Sequence, residues 1–377
     1  MVKSLSSQWL ATIYVAAASA GITFFLARSL GPESFGVYSY FLAFASLISA
    51  AQDGGFRTLL VREKTAVSHT LNFSSIHLIR YALGNNFVVT ALVALIIWLL
   101  PIPDKQILLA AVFCLSLIVV SQTVSSIFRG EGHFVRDAKW QIIFRSVTAV
   151  AIVLASVIAP LSPLTIFLSW AAGIALVLTV GGARILVFPK IPDYRAIYRE
   201  ILPLAIISFA TTVYFKIDIV MLGHFSDDSS SAGYYSAAYK FLEGIILLLA
   251  PVSYIFFRML RQNWQDKVQF AALLKLMVGL MLVGALATIL LLGWVGSWVV
   301  ELAYGEAYGV SVGLLFWLSL SLFFVMPNYI LTQAAIADNK GASYAWITVV
   351  AAIGNVGMNL YLIPKYGAVG AAWATIA

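Results

Sequence analysis

The chain has 377 residues, of which 62% are hydrophobic and 10% charged, with a net charge of +7 and a mean hydropathy of +0.95. That leaves too little polar surface to coat a water-soluble globule of this size. The positive charge does not point to nucleic acid, because the basic residues recur at every second loop without the interleaved aromatics of a base-stacking surface.

Twelve apolar stretches fill the sequence, near residues 7 to 27, 35 to 52, 82 to 101, 106 to 127, 141 to 159, 164 to 187, 201 to 222, 236 to 257, 272 to 294, 310 to 333, 342 to 362 and 367 to the end. All but the last have about the 20 residues a helix needs to cross a hydrocarbon core about 30 Å thick. Barrel strands alternate with period two, whereas Ala271 to Trp294 is apolar on every face. With no water to satisfy the backbone in lipid, helix is the remaining choice. The fold class expected is therefore all-α: a polytopic membrane protein of about 12 transmembrane helices. The first stretch is too long for a cleaved signal peptide and reads as an anchor. Beyond Pro364 and Gly367 the last stretch has about eleven residues, about 16 Å of helix. It is expected to be a truncated span, with one or more spans missing after it.

Basic residues set the orientation. Assigned in order, the loops after helices two, four, six and eight hold Arg57, Arg62, Lys64 and Arg80; Arg129, Arg136, Lys139 and Arg145; Arg184, Lys190, Arg195 and Arg199; and Arg258, Arg261, Lys267 and Lys275. With Lys3 and Lys340 that side carries 18 of the 23 Lys and Arg, against Arg28, Lys105 and Lys365 opposite. The positive-inside rule puts the N-terminus in the cytoplasm.

Several chemistries are excluded. Cys114 is the only cysteine, so neither an intrachain disulfide nor a thiolate metal site is available. The histidines His69, His77, His133 and His224 lack ligand spacing, and no GxxxxGK[ST] loop is present. No metal, cofactor or catalytic residue is expected; transport would draw on a gradient or a partner.

The sequence also repeats. A shift of 206 residues lays Glu131 to Trp140 over Ala337 to Trp346, with Gln122 on Asn328 and Ser126 on Thr332, and Leu30 to Phe44 is matched by Leu222 to Phe241. A six-helix unit is even, so both copies enter from the same side as parallel repeats. The expected lobes are residues 1–190 and 191–377, the second incomplete at its end. At Gly31-Pro32 the first helix should break into a tight hairpin, with Pro32 opening the next helix and Glu33 favouring its N-terminus. Asp53 and Arg57, four apart, read as a local ion pair.

LGPESFGVYS at Leu30 to Ser39, DGGF at Asp53 to Phe56, KIDIVMLGHF at Lys216 to Phe225, GYYSAAYKF at Gly233 to Phe241, LAYGEAYG at Leu302 to Gly309 and NLYLIPKYGAVGAAWAT at Asn359 to Thr375 together resemble the polysaccharide-export flippases. These are Wzx-type transporters of the multidrug/oligosaccharidyl-lipid/polysaccharide superfamily. The resemblance covers essentially the whole chain. It implies two six-helix lobes, alternating access, and transfer of an undecaprenyl-pyrophosphate-linked oligosaccharide from the inner to the outer leaflet of the bacterial inner membrane, for O-antigen, capsule or exopolysaccharide assembly. Implied partners are that substrate, membrane lipids, a polysaccharide polymerase and a chain-length regulator.

Within that frame one charge cluster stands out. Lys216 and Asp218 on helix seven and Lys240 and Glu243 on helix eight lie at similar depth by helical rise, where ionisable groups usually face a wet cavity. Lys216, Lys240 and Arg28 are the candidates to neutralise a pyrophosphate, and Asp218 and Glu243 to respond to protons or sodium. Asp218 diverges from Lys216 on its own helix and is expected to look toward Lys240. The alternative is an ion-pair network that only ties the two helices. Asn85, Asn86, Gln122, Asn328, Gln333, Asn355 and Asn359 are polar groups within spans; interhelical hydrogen bonds are one reading, and for Gln122 and Asn328 a sugar path is the other. A multidrug or metabolite antiporter of the same superfamily would favour acidic residues in the first lobe, where spans one to six hold no mid-membrane carboxylate. A membrane polymerase or ligase would need catalytic Arg or His in a large outer loop, and none exceeds about 15 residues.

Overall fold

A computed structural model describes residues 2–65, 75–182, 194–226, 228–263, 265–337 and 341–377. Of the charges that set orientation, Arg184, Lys190 and Lys340 lie outside the described residues, as does His69. The described chain is all-α. Its helices are α1 (Val2–Asp53), α2 (Phe56–Thr65), α3 (Ser75–Leu99), α4 (Lys105–Gly130), α5 (Phe134–Ile158), α6 (Pro163–Val177), α7 (Tyr194–Phe225), α8 (Ser230–Gln262), α9 (Lys267–Tyr304), α10 (Val310–Leu320), α11 (Leu322–Ala337) and α12 (Gly341–Ile376). Among the described residues, eight helices are long and apolar enough to cross a membrane, nine if α10 and α11 count as one bent span.

Local chemistry explains where these helices start and bend. α1 holds two of the expected stretches and breaks at Gly31, whose φ of 71° is left-handed backbone open to glycine; Pro32 then supplies the first turn of the continuation. α12 holds the last two and breaks in the same way at Gly367, φ 55°. At α6, Ser162 and Thr165 exchange hydrogen bonds as a capping box before Pro163. Asp266 caps α9 by accepting from Val268 N and Gln269 N, both at 3.0 Å. The stretch at 310 to 333 is not one straight helix: α10 and α11 meet at 42°. There the Ser319 and Ser321 hydroxyls donate back to the carbonyls of Phe316 and Leu318, a bond that bends helices, and Pro327 lacks an N–H.

The chain forms two compact units: unit 1 is Met1–Thr23 with Phe41–Lys216, and unit 2 is Phe24–Tyr40 with Ile217–Ala377. In unit 1, α4 is the central helix and packs against α2, α3, α5 and α6. Its most apolar window is 61% buried, against 11% for α5, because small residues such as Ala110, Ala111, Ser116 and Ser125 allow neighbours to approach. In unit 2, α8 packs on α10, α11 and α12, and α9 on α10 and α11.

These units differ from the linear division at residue 190. The middle of α1 belongs to unit 2, and most of α7 to unit 1. A side-chain atom added at Gly36 would meet the Ser229 carbonyl, and one at Gly233 the Pro32 carbonyl, so α1 and the start of α8 touch backbone to backbone. Tyr308 adds a hydrogen bond to the Ala27 carbonyl at 2.9 Å. These contacts fix residues 24 to 40 on unit 2.

Candidate functional site

Unit 1 contains a cavity of about 360 Å³ at the level of the α4–α5 turn. Its polar wall comes from α4, where Ser121, Gln122, Ser125 and Arg129 recur at three- and four-residue spacing and so share one face. α5 adds Gln141 and Arg145, again four apart, and α2 adds Arg57. Among the described residues no carboxylate lines the cavity. Two stand behind it. Asp53, 4% exposed, accepts from Arg57 Nε at 2.8 Å, while the same guanidinium donates to the Gln122 side-chain oxygen. Asp137, fully buried, lies 3.8 Å from Arg129 Nε and accepts from Gln141 Nε2 at 2.9 Å, Gln8 Nε2 at 3.1 Å and the Ser125 hydroxyl. Asp137 thus holds both Arg129 and the Gln141 amide, while Asp53 holds Arg57, which in turn holds Gln122.

Arg57 reaches the cavity because the chain turns sharply behind it. Gly54 and Gly55 have φ of 54° and 80°, and an added side-chain atom at Gly55 would lie 2.9 Å from Ala205 N, so the turn is pressed against α7. The Asn85 amide donates to the last carbonyls of α1, Ala51 at 3.0 Å and Gln52 at 2.8 Å. Asn86 donates to the Ser116 carbonyl at 2.9 Å. Both asparagines therefore make the interhelical bonds expected of them.

In unit 2 the charge cluster takes a definite form. Asp218 is 2% exposed; its carboxylate accepts from the Tyr235 hydroxyl and from Ile219 N at 2.8 Å. Tyr235 also lies 3.0 Å from the Thr375 hydroxyl, joining α7, α8 and α12. On α12, Asn359 donates to Asn355, Asn355 to the Ala374 carbonyl at 3.4 Å, and the buried Asn359 Oδ1 has no partner among the described residues. Lys240 pairs with Glu243 on its own helix at 2.8 Å, with both side chains about one-third exposed.

The remaining candidates are dispersed. Gln122 lies in the unit 1 cavity, Asn328 is exposed on α11, and Lys216 is half-buried at the last residue of unit 1. Arg28 donates to the carbonyls of Ala303 at 3.1 Å and Leu302 at 2.5 Å, where it caps the C-terminus of α9. Arg129, Arg145, Trp140, Trp170, Tyr235 and Thr375 were not singled out by the sequence. The arginines counted there as loop charges: Arg129 lies on α4 beyond the apolar stretch that ends near 127, and Arg145 lies in the first residues of the stretch that begins near 141. The signal was the four-residue spacing of Ser121, Ser125 and Arg129, and of Gln141 and Arg145.

The sequence profile of the polysaccharide biosynthesis protein family matches residues 1–254. No curated protein matches the chain. Among solved structures, the lipid II flippase MurJ in an inward closed conformation is 15% identical with a TM-score of 0.73, over 100% of this chain and 84% of that one. An inward-facing multidrug resistance MATE family transporter of the MOP superfamily is 14% identical with a TM-score of 0.75, over 96% and 90%. The MATE multidrug transporter DinF-BH is 14% identical with a TM-score of 0.66, over 99% and 90%. At these identities the likeness is one of fold: this multi-pass membrane chain shares the fold of these transporters.

Proposed function

Because the chain belongs to the polysaccharide biosynthesis protein family, we propose that it moves a lipid-linked oligosaccharide across the bacterial inner membrane, from the cytoplasmic to the outer leaflet, and that the unit 1 cavity holds the diphosphate. The observation that carries this reading is the wall of three arginines, Arg57, Arg129 and Arg145, with no lining carboxylate among the described residues. Guanidinium forks match phosphate oxygens in pairs, and charge at membrane depth persists where it faces a wet cavity or a partner. Flipping makes and breaks no covalent bond, so the reading includes no enzymatic step. The product would pass at the outer face to a polymerase and its chain-length regulator, for O-antigen, capsule or exopolysaccharide assembly.

Asp218 is the proposed coupling group. A buried carboxylate that accepts from the Tyr235 hydroxyl, itself 3.0 Å from the Thr375 hydroxyl, is a group on which a proton or sodium ion can be exchanged. Lys216, Lys240 and Asn328 are proposed as further substrate contacts, with Glu243 as a second coupling group. The experiment is flipping of undecaprenyl-diphosphoryl oligosaccharide by the purified protein in vesicles. Arg145→Ala should abolish it at an unchanged protein level, and Arg145→Lys should retain part. Full flipping by Arg145→Ala and by Arg129→Ala would exclude the cavity as the diphosphate site.

A further inference from the structure

The tip of α12 carries a cation with no counter-charge among the described residues. α12 is a helical hairpin: it breaks at Pro364 and Gly367, an added side-chain atom at Gly370 would meet the Leu362 carbonyl, and Asn355 Nδ2 reaches across to the Ala374 carbonyl at 3.4 Å. Lys365, in the break, is the only charged residue of α12 and is exposed. Its ammonium sits 3.6 Å above the ring of Tyr361, one turn earlier. Tyr361 and Tyr366, on either side of it, are exposed as well. From Tyr366 a file of rings leads inward, to Trp373 at 5.1 Å and from there to Trp317 of α10 at 5.7 Å.

A lysine at a membrane surface ordinarily stretches its head into water and roams. Here a ring holds it, and the ammonium, with three donors, keeps some of them for a second partner. Tyr and Trp side chains sit at the headgroup level, where one end is apolar and the other wet. Trp373 lies six residues beyond Gly367, about 9 Å deeper by helical rise, so the file of rings runs from that level toward the upper acyl chains. An anionic phospholipid matches both parts, with its phosphate on Lys365 and its chain along the rings. A free phosphate would use only the first part, and a choline lipid brings its own cation to the phosphate. The place also bears on unit 2 as a whole. The returning arm of the hairpin carries Thr375, 3.0 Å from the Tyr235 hydroxyl that holds Asp218, so a lipid that steadies the break steadies the arm that meets Tyr235.

We propose that the α12 tip binds an anionic phospholipid of the outer leaflet, its phosphate on Lys365 and its chain along Tyr366, Trp373 and Trp317, and that this lipid supports transport by holding the arm that carries Thr375. The transport half rests on the flipping proposed above and the binding half does not, so the two are tested apart. For binding, the purified protein is placed in phosphatidylcholine nanodiscs with a small fraction of phosphatidylglycerol whose brominated chains quench nearby tryptophans. Quenching should exceed that by the same fraction of brominated phosphatidylcholine. The excess should shrink in Trp373→Phe, vanish in Lys365→Gln and persist in Lys365→Arg, which keeps the charge over the ring. No excess in the unaltered protein, or an excess unchanged in Lys365→Gln or in Trp373→Phe, overturns the lipid site. So does its loss on adding millimolar inorganic phosphate, which would mark a free-phosphate site. For transport, flipping of undecaprenyl-diphosphoryl oligosaccharide in vesicles should rise about fivefold when phosphatidylglycerol joins phosphatidylcholine, the worth of one lysine near an anionic surface. Lys365→Gln should equal the unaltered protein in phosphatidylcholine and gain nothing from the anionic lipid. An equal gain in Lys365→Gln overturns the transport half. Absence of flipping by the unaltered protein in every lipid defeats the flippase reading and the transport half with it, and the fluorescence still decides the binding.

Discussion

Arg57 shows how one side chain changes meaning between sequence and structure. Four residues after Asp53 it reads as half of a surface ion pair worth a few tenths of a kcal/mol. The pair does form, at 2.8 Å, but the same guanidinium also reaches Gln122 and lines the cavity. Asp53 is thus a positioning group. Asp53→Asn should impair flipping by misdirecting Arg57 while leaving protein abundance near normal, and Arg57→Ala should impair it further; a vesicle assay that finds Asp53→Asn fully active removes Asp53 from the site. At Asp218 the structure shows a partner that the sequence does not single out. The spacing points to Lys240; in the structure the Asp218 carboxylate takes the Tyr235 hydroxyl, and Lys240 pairs with Glu243. Spacing on one helix reveals which residues share a face, but not which neighbour turns a hydroxyl toward them. Asp218→Asn is expected to accumulate normally and to lose dependence on a proton or sodium gradient, with Glu243→Gln milder because its pair is one-third exposed and well solvated. Unchanged gradient dependence in Asp218→Asn would make the residue a helix tie only.

At the scale of elements, the described residues of the twelve apolar stretches are carried almost entirely by helix, because roughly 20 apolar residues in lipid leave no alternative. What escaped was what hydropathy does not record. α2 is short and basic, so it read as loop, yet Phe56, Leu59 and Leu60 bury one face against Leu78 and Ile79 of α3 and Ile197 and Ile201 of α7. Leu59 is fully buried, and Leu59→Ala should cost about 2–5 kcal/mol, visible as a lower melting temperature in detergent. The glycines give a sharper contrast. Gly36→Ala sets a side chain against the Ser229 carbonyl, which is backbone and cannot swing away, whereas Gly279 has open space around it. Overpacking at the first should cost about 1–3 kcal/mol. Gly279→Ala, on α9, should be neutral or slightly stabilising through helix propensity. Equal melting temperatures for the two variants would show that the α1–α8 contact is looser than the structure has it.

For the whole molecule, contiguity in sequence was a poor guide to compact units. α1 and α7 each contribute to both, so the compact units do not divide at residue 190. Hydropathy and repeats report how often the chain crosses, and only contacts report what it crosses against. The orientation belongs at this scale too, since it depends on all the loops together: 18 of 23 basic residues fall on one side of the assigned topology, and we propose from the positive-inside rule that this side is cytoplasmic. Single cysteines at Arg62, Lys139, Tyr194 and Gln265 should then resist a membrane-impermeant thiol reagent applied to intact cells, and one at Asp104 should react. The native background favours the experiment, because Cys114 is the only cysteine and is fully buried within α4. After the membrane is opened, the first four positions should become reactive while Cys114 stays silent. Labelling at Arg62 or Tyr194 from outside intact cells would invert the topology, and with it the direction in which the arginine-walled cavity could load its substrate.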